Sequence, residues 1–275
     1  MNEIAGYHIL SKLGTGARST IYAVQDKDGQ VYALKHVARR SAADQRFVDQ
    51  AISEHEIASK FDHPSLRRSI KLMRSRTLLR VNEVHALMEL IDGQPLSDYE
   101  PASMTELCEI FIGVAQGLKV MHEAGYVHAD IKPNNIMVVN NDGVKIIDFG
   151  QSCEIGSVKP RIQGTPDYIA PEQVMKLQIT PQTDVFNLGA SLYHKLVGKP
   201  IPTLIPSGNV GGLVMKQKLT PPVEINDKTP PALSSLVLSC VEQEPARRPK
   251  DMAAVLTRLE IALRQSEQVT ANQAV

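Results

Sequence analysis

Tyr126-Val127-His128-Ala129-Asp130-Ile131-Lys132-Pro133-Asn134-Asn135-Ile136 is followed closely by Lys145-Ile146-Ile147-Asp148-Phe149-Gly150. The first stretch begins just after a helix-stopping glycine, Gly125, and runs into an apolar strand from Ile136 to Val139. Two carboxylates, a lysine and an asparagine therefore fall on loops around one short hairpin. Hard oxygen donors of this kind suit a magnesium ion that is also held by substrate phosphates. A structural reading of so specific an order of polar residues has little to recommend it.

Upstream, the sequence reads mostly as strands. Tyr7 to Leu13 is a short apolar stretch ending in glycines, and Thr20 to Gln25 and Val31 to Val37 flank Asp26-Lys27-Asp28-Gly29-Gln30, whose Asp-Gly pair is a hairpin signal. Ala43 to Phe61 carries a helical pattern that Asp62-His63-Pro64 stops. Ser69 to Met73 and Val84 to Leu90 are strand-like, with a basic segment containing Arg74, Arg76 and Arg80 between them, and Gly93 and Pro95 mark a turn. Beyond that the chain is mainly helical. The candidates are Thr105 to Ala124, Pro181 to Leu196, Ala232 to Gln243 and Lys250 to Leu263, with a Pro- and Gly-rich loop from Pro200 to Pro222 and a polar, frayed tail from Arg264 to Val275.

Composition bounds the function. In 275 residues, 43% are hydrophobic and 22% charged, as in an ordinary globular protein. The formal net charge is zero, which argues against bulk affinity for nucleic acid or an anionic membrane. Cys108, Cys153 and Cys240 are odd in number and far apart with no CxxC pair, which argues against a disulfide framework or a zinc site and favours a reducing cytoplasm. The N-terminus lacks the pattern of a signal peptide, and no apolar run approaches the ~18 residues of a transmembrane helix.

Two weaker signals precede the loops. Leu13-Gly14-Thr15-Gly16-Ala17-Arg18-Ser19-Thr20-Ile21 could bring backbone amides close to phosphates, although two glycines in a turn are ordinary. Lys35, in the apolar run Val31-Tyr32-Ala33-Leu34-Lys35, needs either a partner or a snorkelling path to water.

Together these stretches resemble the signature of the eukaryotic-like (Hanks-type) serine/threonine protein kinase catalytic domain, from about Tyr7 to Leu263. Later markers agree. Gly164-Thr165-Pro166-Asp167-Tyr168-Ile169-Ala170-Pro171-Glu172 is similar to the end of a kinase activation segment, and Asp184-Val185-Phe186-Asn187-Leu188-Gly189 to the helix anchoring the large lobe. Arg248-Pro249 resembles the late arginine that pairs with the glutamate of the Ala-Pro-Glu triplet, here Glu172.

The resemblance implies an α+β, bilobal kinase-like fold. A small antiparallel β-sheet N-lobe with one helix (1–90) precedes a larger, mainly helical C-lobe (91–263) and the tail (264–275). It also implies ATP and Mg²⁺, or Mn²⁺, as cofactors and a protein substrate, autophosphorylation included. Leu13, Gly14, Thr15, Gly16, Ala17, Arg18 and Ser19 would cover the ATP phosphates. Lys35 would bind the phosphates and pair with a glutamate, for which family spacing to His63-Pro64 favours Glu54 over Glu56. The adenine would meet Ile21, Ala33 and Met137, with Met88 at the back of its pocket and the backbone of Glu89 and Ile91 at its edge. Asn135 and Asp148 would hold the metal, Lys132 would steady the γ-phosphate, and Asp130 would orient the substrate hydroxyl and take its proton. The transition state of phosphoryl transfer is loose, so positioning is the main task.

Four details refine that implication. Ala129 stands where many members carry an arginine that grips a phosphorylated activation loop, so activity should not require such phosphorylation. Thr165 reads as a structural contact to Asp130 and Lys132 rather than a phosphosite, and Lys132 and Gly164-Thr165-Pro166 favour serine/threonine over tyrosine. The run Arg67, Arg68, Lys71, Arg74, Arg76, Arg80 reads as solvated surface, with an acidic docking partner as the alternative. A feeble kinase-like scaffold and a small-molecule phosphotransferase are the competing classes. The intact residue set opposes the first; Ala170-Pro171-Glu172 and Arg248 oppose the second.

Overall fold

Alternating residues on Val31–Ala38 serve two opposite environments, and this organises the first part of the molecule. The computed structural model describes residues 3–16, 18–77, 80–140, 143–202 and 219–273. The chain forms two compact units: Met1–Asp92 with Ile147–Gly150, and Gly93–Ile146 with Gln151–Val275.

The first unit is built on strands β1 (Glu3–Ile4), β2 (Tyr7–Thr15), β3 (Ser19–Gln25), β4 (Val31–Ala38), β5 (Ser69–Thr77) and β6 (Arg80–Met88), with helix α1 (Gln45–Ala58). The sheet order is β1-β2-β3-β4-β6-β5, with every pairing antiparallel. In the β3–β4 turn, Asp26 accepts hydrogen bonds from the amides of Asp28 and Gln30, and Gly29 takes the left-handed φ of 85° that its position requires. One sheet face buries Val37 and Val84 against Val48 and Ala51 of α1. The other buries Val24, Leu34 and Leu87 beneath Tyr7, Tyr22 and Tyr32. The period of two along β4 thus turns Lys35 and Val37 to one face and Leu34 and His36 to the other.

The basic residues expected between two strands lie within them, because β5 and β6 stay paired through Arg74 and Arg76, with a register shift between Ser75 and Arg76. Arg67 also departs from a solvated surface: it is buried.

The second unit contains β7 (Gly93–Pro95), α2 (Met104–Glu123), β8 (Tyr126–Val127), β9 (Ile136–Val139), β10 (Gly143–Ile146) and β11 (Cys153–Glu154), followed by α3 (Pro171–Val174), α4 (Pro181–Val197), α5 (Pro222–Ile225), α6 (Pro231–Cys240) and α7 (Met252–Gln273). Ser103 caps α2 by accepting from the Glu106 amide at 3.1 Å, and Gly125 follows its end with φ 87°. Apolar faces of α2, α4, α6 and α7 close the core. Gly189 is required where α4 meets α6, since a Cβ there would lie 2.4 Å from Cβ of Cys240.

Two expectations change here. Gly93 and Pro95 do not mark a turn: Gly93–Pro95 is a strand paired antiparallel with β9. A Cβ on Gly93 would lie 2.3 Å from the Val138 carbonyl oxygen, so the glycine serves close strand approach. The tail is not frayed either: α7 continues through Gln273, with Met252, Val255, Leu259, Ala262 and Ser266 buried along one stripe. Much of the expected 200–222 loop lies outside the described residues, and its last residue, Pro222, begins α5.

Candidate active site

Residues of the first unit gather around Lys35. Its Nζ lies 2.5 Å from Oε2 of Glu54 on α1 and 4.0 Å from Oδ1 of Asp148. Burial disfavours the ammonium form, but Glu54 and Asp148 outweigh it and raise the pKa of Lys35 above the usual lysine value. Glu54 is therefore the partner; Glu56 instead faces Arg74 at 3.2 Å. The other Glu54 oxygen lies 3.5 Å from Nη2 of Arg67, so the carboxylate sits between two cations. Sequence reading missed Arg67, because nothing in a run of basic residues says which one turns inward.

Asp148 adopts a left-handed backbone, φ 64°, and its Oδ1 accepts from the Gly150 amide at 3.3 Å. Gln50 of α1 donates to the Gly150 carbonyl at 3.0 Å, and Phe149 stacks on Phe61 with ring centroids 6.4 Å apart. A cavity of about 230 Å³ is lined by Arg18, Ser19, Lys35, Glu54 and Asp148 among others. That volume is below the ~300 Å³ lower end of small-molecule pockets, and its polar lining suits phosphate more than a base.

Of the glycine stretch, Leu13, Gly14 and Thr15 end β2, Gly16 donates to the Ser19 carbonyl at 2.8 Å, and Ala17 lies outside the described residues. Arg18 reaches Asp44, with Nε 2.9 Å from Oδ1. Ile21 lies on β3, and Ala33 and Met88 are buried and directly paired across β4 and β6. The Glu89 amide donates to the Arg68 carbonyl at 3.0 Å, and Ile91 lies at the end of this unit.

In the second unit the centre is Asp130, which is buried. Its Oδ2 accepts from Lys132 Nζ at 2.8 Å and Asn135 Nδ2 at 3.3 Å, and its Oδ1 accepts from the Thr165 hydroxyl at 2.9 Å. Lys132 also donates to Thr165 Oγ1 at 2.7 Å, and Asn135 Nδ2 to the Asp130 carbonyl at 2.8 Å. Thr165 thus makes both contacts expected of it. Met137 lies on β9, one step beyond this loop.

The loop before Asp130 is strained and tied down. Ala129 has φ 61°, uncommon for a residue with a side chain. Both of its peptide groups are held by buried side chains. Its N–H donates to Oδ1 of Asp184 at 2.7 Å, and its carbonyl accepts from Nε2 of Gln173 at 2.8 Å. Asp184 also accepts from the His128 amide at 2.9 Å and lies 2.8 Å from Nε2 of His122. The His128 ring accepts at Nδ1 from the Asp130 amide at 3.3 Å. Sequence reading missed Gln173; its only signal was a polar residue beside Glu172 at the start of a short helix.

Glu172 and Arg248 form a parallel fork, with oxygen–nitrogen distances of 2.7 and 2.9 Å. Arg248 also donates to the carbonyls of Gln182, Glu242 and Gln243, so all five donors of the guanidinium are used. Its guanidinium carbon stands 4.9 Å from the Phe186 ring centroid. The three cysteines are free, and burial pushes their thiols up, Cys240 to about 12.

The protein kinase domain profile matches residues 7–258. A probable serine/threonine-protein kinase of Corynebacterium efficiens is 29% identical over 94% of this chain and 41% of its own length. The serine/threonine-protein kinase PknA of Mycobacterium tuberculosis is 26% identical over 88% of this chain and 58% of its own. The probable serine/threonine-protein kinase PknB of Corynebacterium glutamicum is 28% identical over 92% and 42%. The chain spans about half the length of these relatives.

Proposed function

This chain belongs to the protein kinase domain family, and on that premise we propose that it transfers the γ-phosphoryl group of Mg·ATP to a serine or threonine hydroxyl of a protein. The observation that carries this reading is the carboxylate of Asp130, held at both oxygens by Lys132, Asn135 and Thr165. A carboxylate so oriented can take the proton of an incoming hydroxyl while the adjacent ammonium of Lys132 offsets phosphate charge. The pairing of Lys35 with Glu54 supports a role for Lys35 in holding phosphates, since Glu54 keeps the ammonium charged and directed into the cavity it lines with Asp148.

Magnesium would neutralise charge on the phosphates. The residues present fit it as hard donors. Asp148 offers a carboxylate that is 48% exposed, and Asn135 spends its amide nitrogen on Asp130, so its carbonyl oxygen is the atom to offer a cation. Adenine recognition would fall to Ile21, Ala33, Met88, Glu89, Ile91 and Met137. The Glu89 amide already donates to Arg68, so the carbonyl is what Glu89 brings to the base.

Activation-loop phosphorylation should be dispensable. Ala129 carries no charge to grip a phosphate, and uncharged or buried groups, Gln173 and Asp184, already fix its backbone.

The test uses Mg²⁺, γ-labelled ATP and a generic basic protein. Wild type should label serine or threonine. Asp130→Asn should lose about 10²–10⁴-fold in rate, the range for a positioned acid or base, and Lys35→Met should also fail. Full activity in Asp130→Asn, or no transfer by wild type, defeats the reading. Phosphatase treatment of wild type should leave its rate unchanged; a large loss would defeat the independence from phosphorylation.

A further inference from the structure

We propose that His36, His85 and Glu83 form a binding site for a divalent transition-metal ion, of which Zn²⁺ is the probe, on the face of the sheet opposite Lys35. Cross-strand register creates the site. His36 on β4 pairs directly with His85 on β6, and Glu83 lies two residues before His85, on the same face. Directly opposite residues bring their Cβ atoms to about 5 Å, within joint reach of one ion.

The three candidate ligand atoms all lie within 4.8 Å of one another, and this is the one such set among the described residues. Glu83 Oε1 is the shared focus. It is hydrogen-bonded to Nε2 of His36 and stands 3.7 Å from Nε2 of His85, too far for a hydrogen bond. The two rings stack with centroids 4.7 Å apart and planes 6° from parallel.

Two imidazoles and one carboxylate with a solvent-facing side match the ligand set of zinc sites that keep an open coordination position. Tetrahedral zinc with bonds of about 2.0–2.1 Å needs donor atoms about 3.3 Å apart, so the 3.7 Å between Glu83 and His85 must close slightly, the widest separation of at most 4.8 Å must close further, and the short His36–Glu83 hydrogen bond must open. The burial pattern permits this. The His85 side chain is only 7% exposed and is held by packing, whereas His36 and Glu83 are 24% and 37% exposed and can rotate toward it. On binding, any proton on a ligating Nε2 moves to Nδ1 or leaves to solvent, the ion takes the lone pair, and the parallel stack opens. Bound metal would tie β4 to β6.

The test is calorimetric titration of the intact chain with ZnCl₂ at saturating Mg²⁺, beside His36→Ala/His85→Ala and Glu83→Gln, each checked for cooperative urea unfolding. Wild type should take up one equivalent and gain in Tm. Each variant should lose roughly 100-fold or more in affinity, since loss of even a supporting outer partner costs about 10–100-fold. Failure of wild type to bind one equivalent, or undiminished zinc affinity in either variant, overturns the proposal. If the double variant does not fold, Glu83→Gln alone decides. These outcomes are independent of whether the chain transfers phosphate.

Discussion

Two acid–base pairs of similar composition are built for different ends. Glu172–Arg248 in the second unit is closed. Its side chains are 3% and 0% exposed, its oxygens and nitrogens meet in a parallel fork, and three backbone carbonyls and Thr183 use what remains. Lys35–Glu54 in the first unit is open. Lys35 is 17% exposed, Glu54 divides itself between Lys35 and Arg67, and Asp148 waits at 4.0 Å. A buried pair is fixed when every donor is satisfied, because any movement would strand a charge. A pair with alternative partners can exchange them, which is what the phosphate contact proposed for Lys35 needs.

The sharpest way to break this contrast is Glu172→Ala. It strands the Arg248 guanidinium in a fully buried setting and should cost about 3–5 kcal/mol, read as a lower urea midpoint. A cost near that of an exposed pair would show that Arg248 finds water and that the fork is not closed. Gln173→Ala comes next. It removes the donor to the Ala129 carbonyl and should cost about 1–3 kcal/mol. Because that carbonyl belongs to a left-handed residue just before Asp130, phosphoryl transfer should fall with it. Unchanged kinetics would mean that Asp184 alone holds the loop.

Glu54→Gln addresses the open pair. Arg67 loses its ionised partner while Lys35 keeps Asp148, so stability should fall by only about 1 kcal/mol. Transfer should nevertheless drop on the order of 10²-fold, as expected when a positioned group is released. A stability loss as large as that of Glu172→Ala would erase the distinction between the two pairs.

What sequence could and could not show follows the same division. The loops around Asp130 and Asp148 were legible because their chemistry is confined to a few adjacent residues. Thr165 and the preference for Glu54 were legible through the family resemblance. Residues whose role arises only from folding were not. Arg67 looked like its neighbours until packing turned it toward Glu54. Gln173 acts through the carbonyl of a residue distant in sequence. Gly93 and Pro95 read as turn chemistry, yet the backbone pairs with β9 and the glycine permits its approach to Val138. In α7 the inward stripe runs on through Ala262 and Ser266, which look like surface until α2 covers that face. Hydrophobicity alone ends the helix near Leu263, because Ser266, the buried residue that continues the stripe, is polar.

The smallest effect tests whether the first unit also contains a fixed element. Asp44 is 2% exposed at the start of α1. Burial alone would raise its pKa, but hydrogen bonds from Ser41 and Arg40 and the nearby Arg18 outweigh it and hold the carboxyl below its usual range. A folded pKa below the unfolded value near 3.9 gives stability that is fully present above that value and lost as pH falls through the folded one. Asp44→Asn keeps the shape but not the charge. Its urea midpoint should therefore lie below that of wild type at neutral pH, and the two should converge as pH falls from about 5 toward 3. Equal separation at both ends of that range would show that the carboxylate's charge contributes nothing, leaving Arg18 as a surface contact and the first unit without a closed ionic anchor of its own.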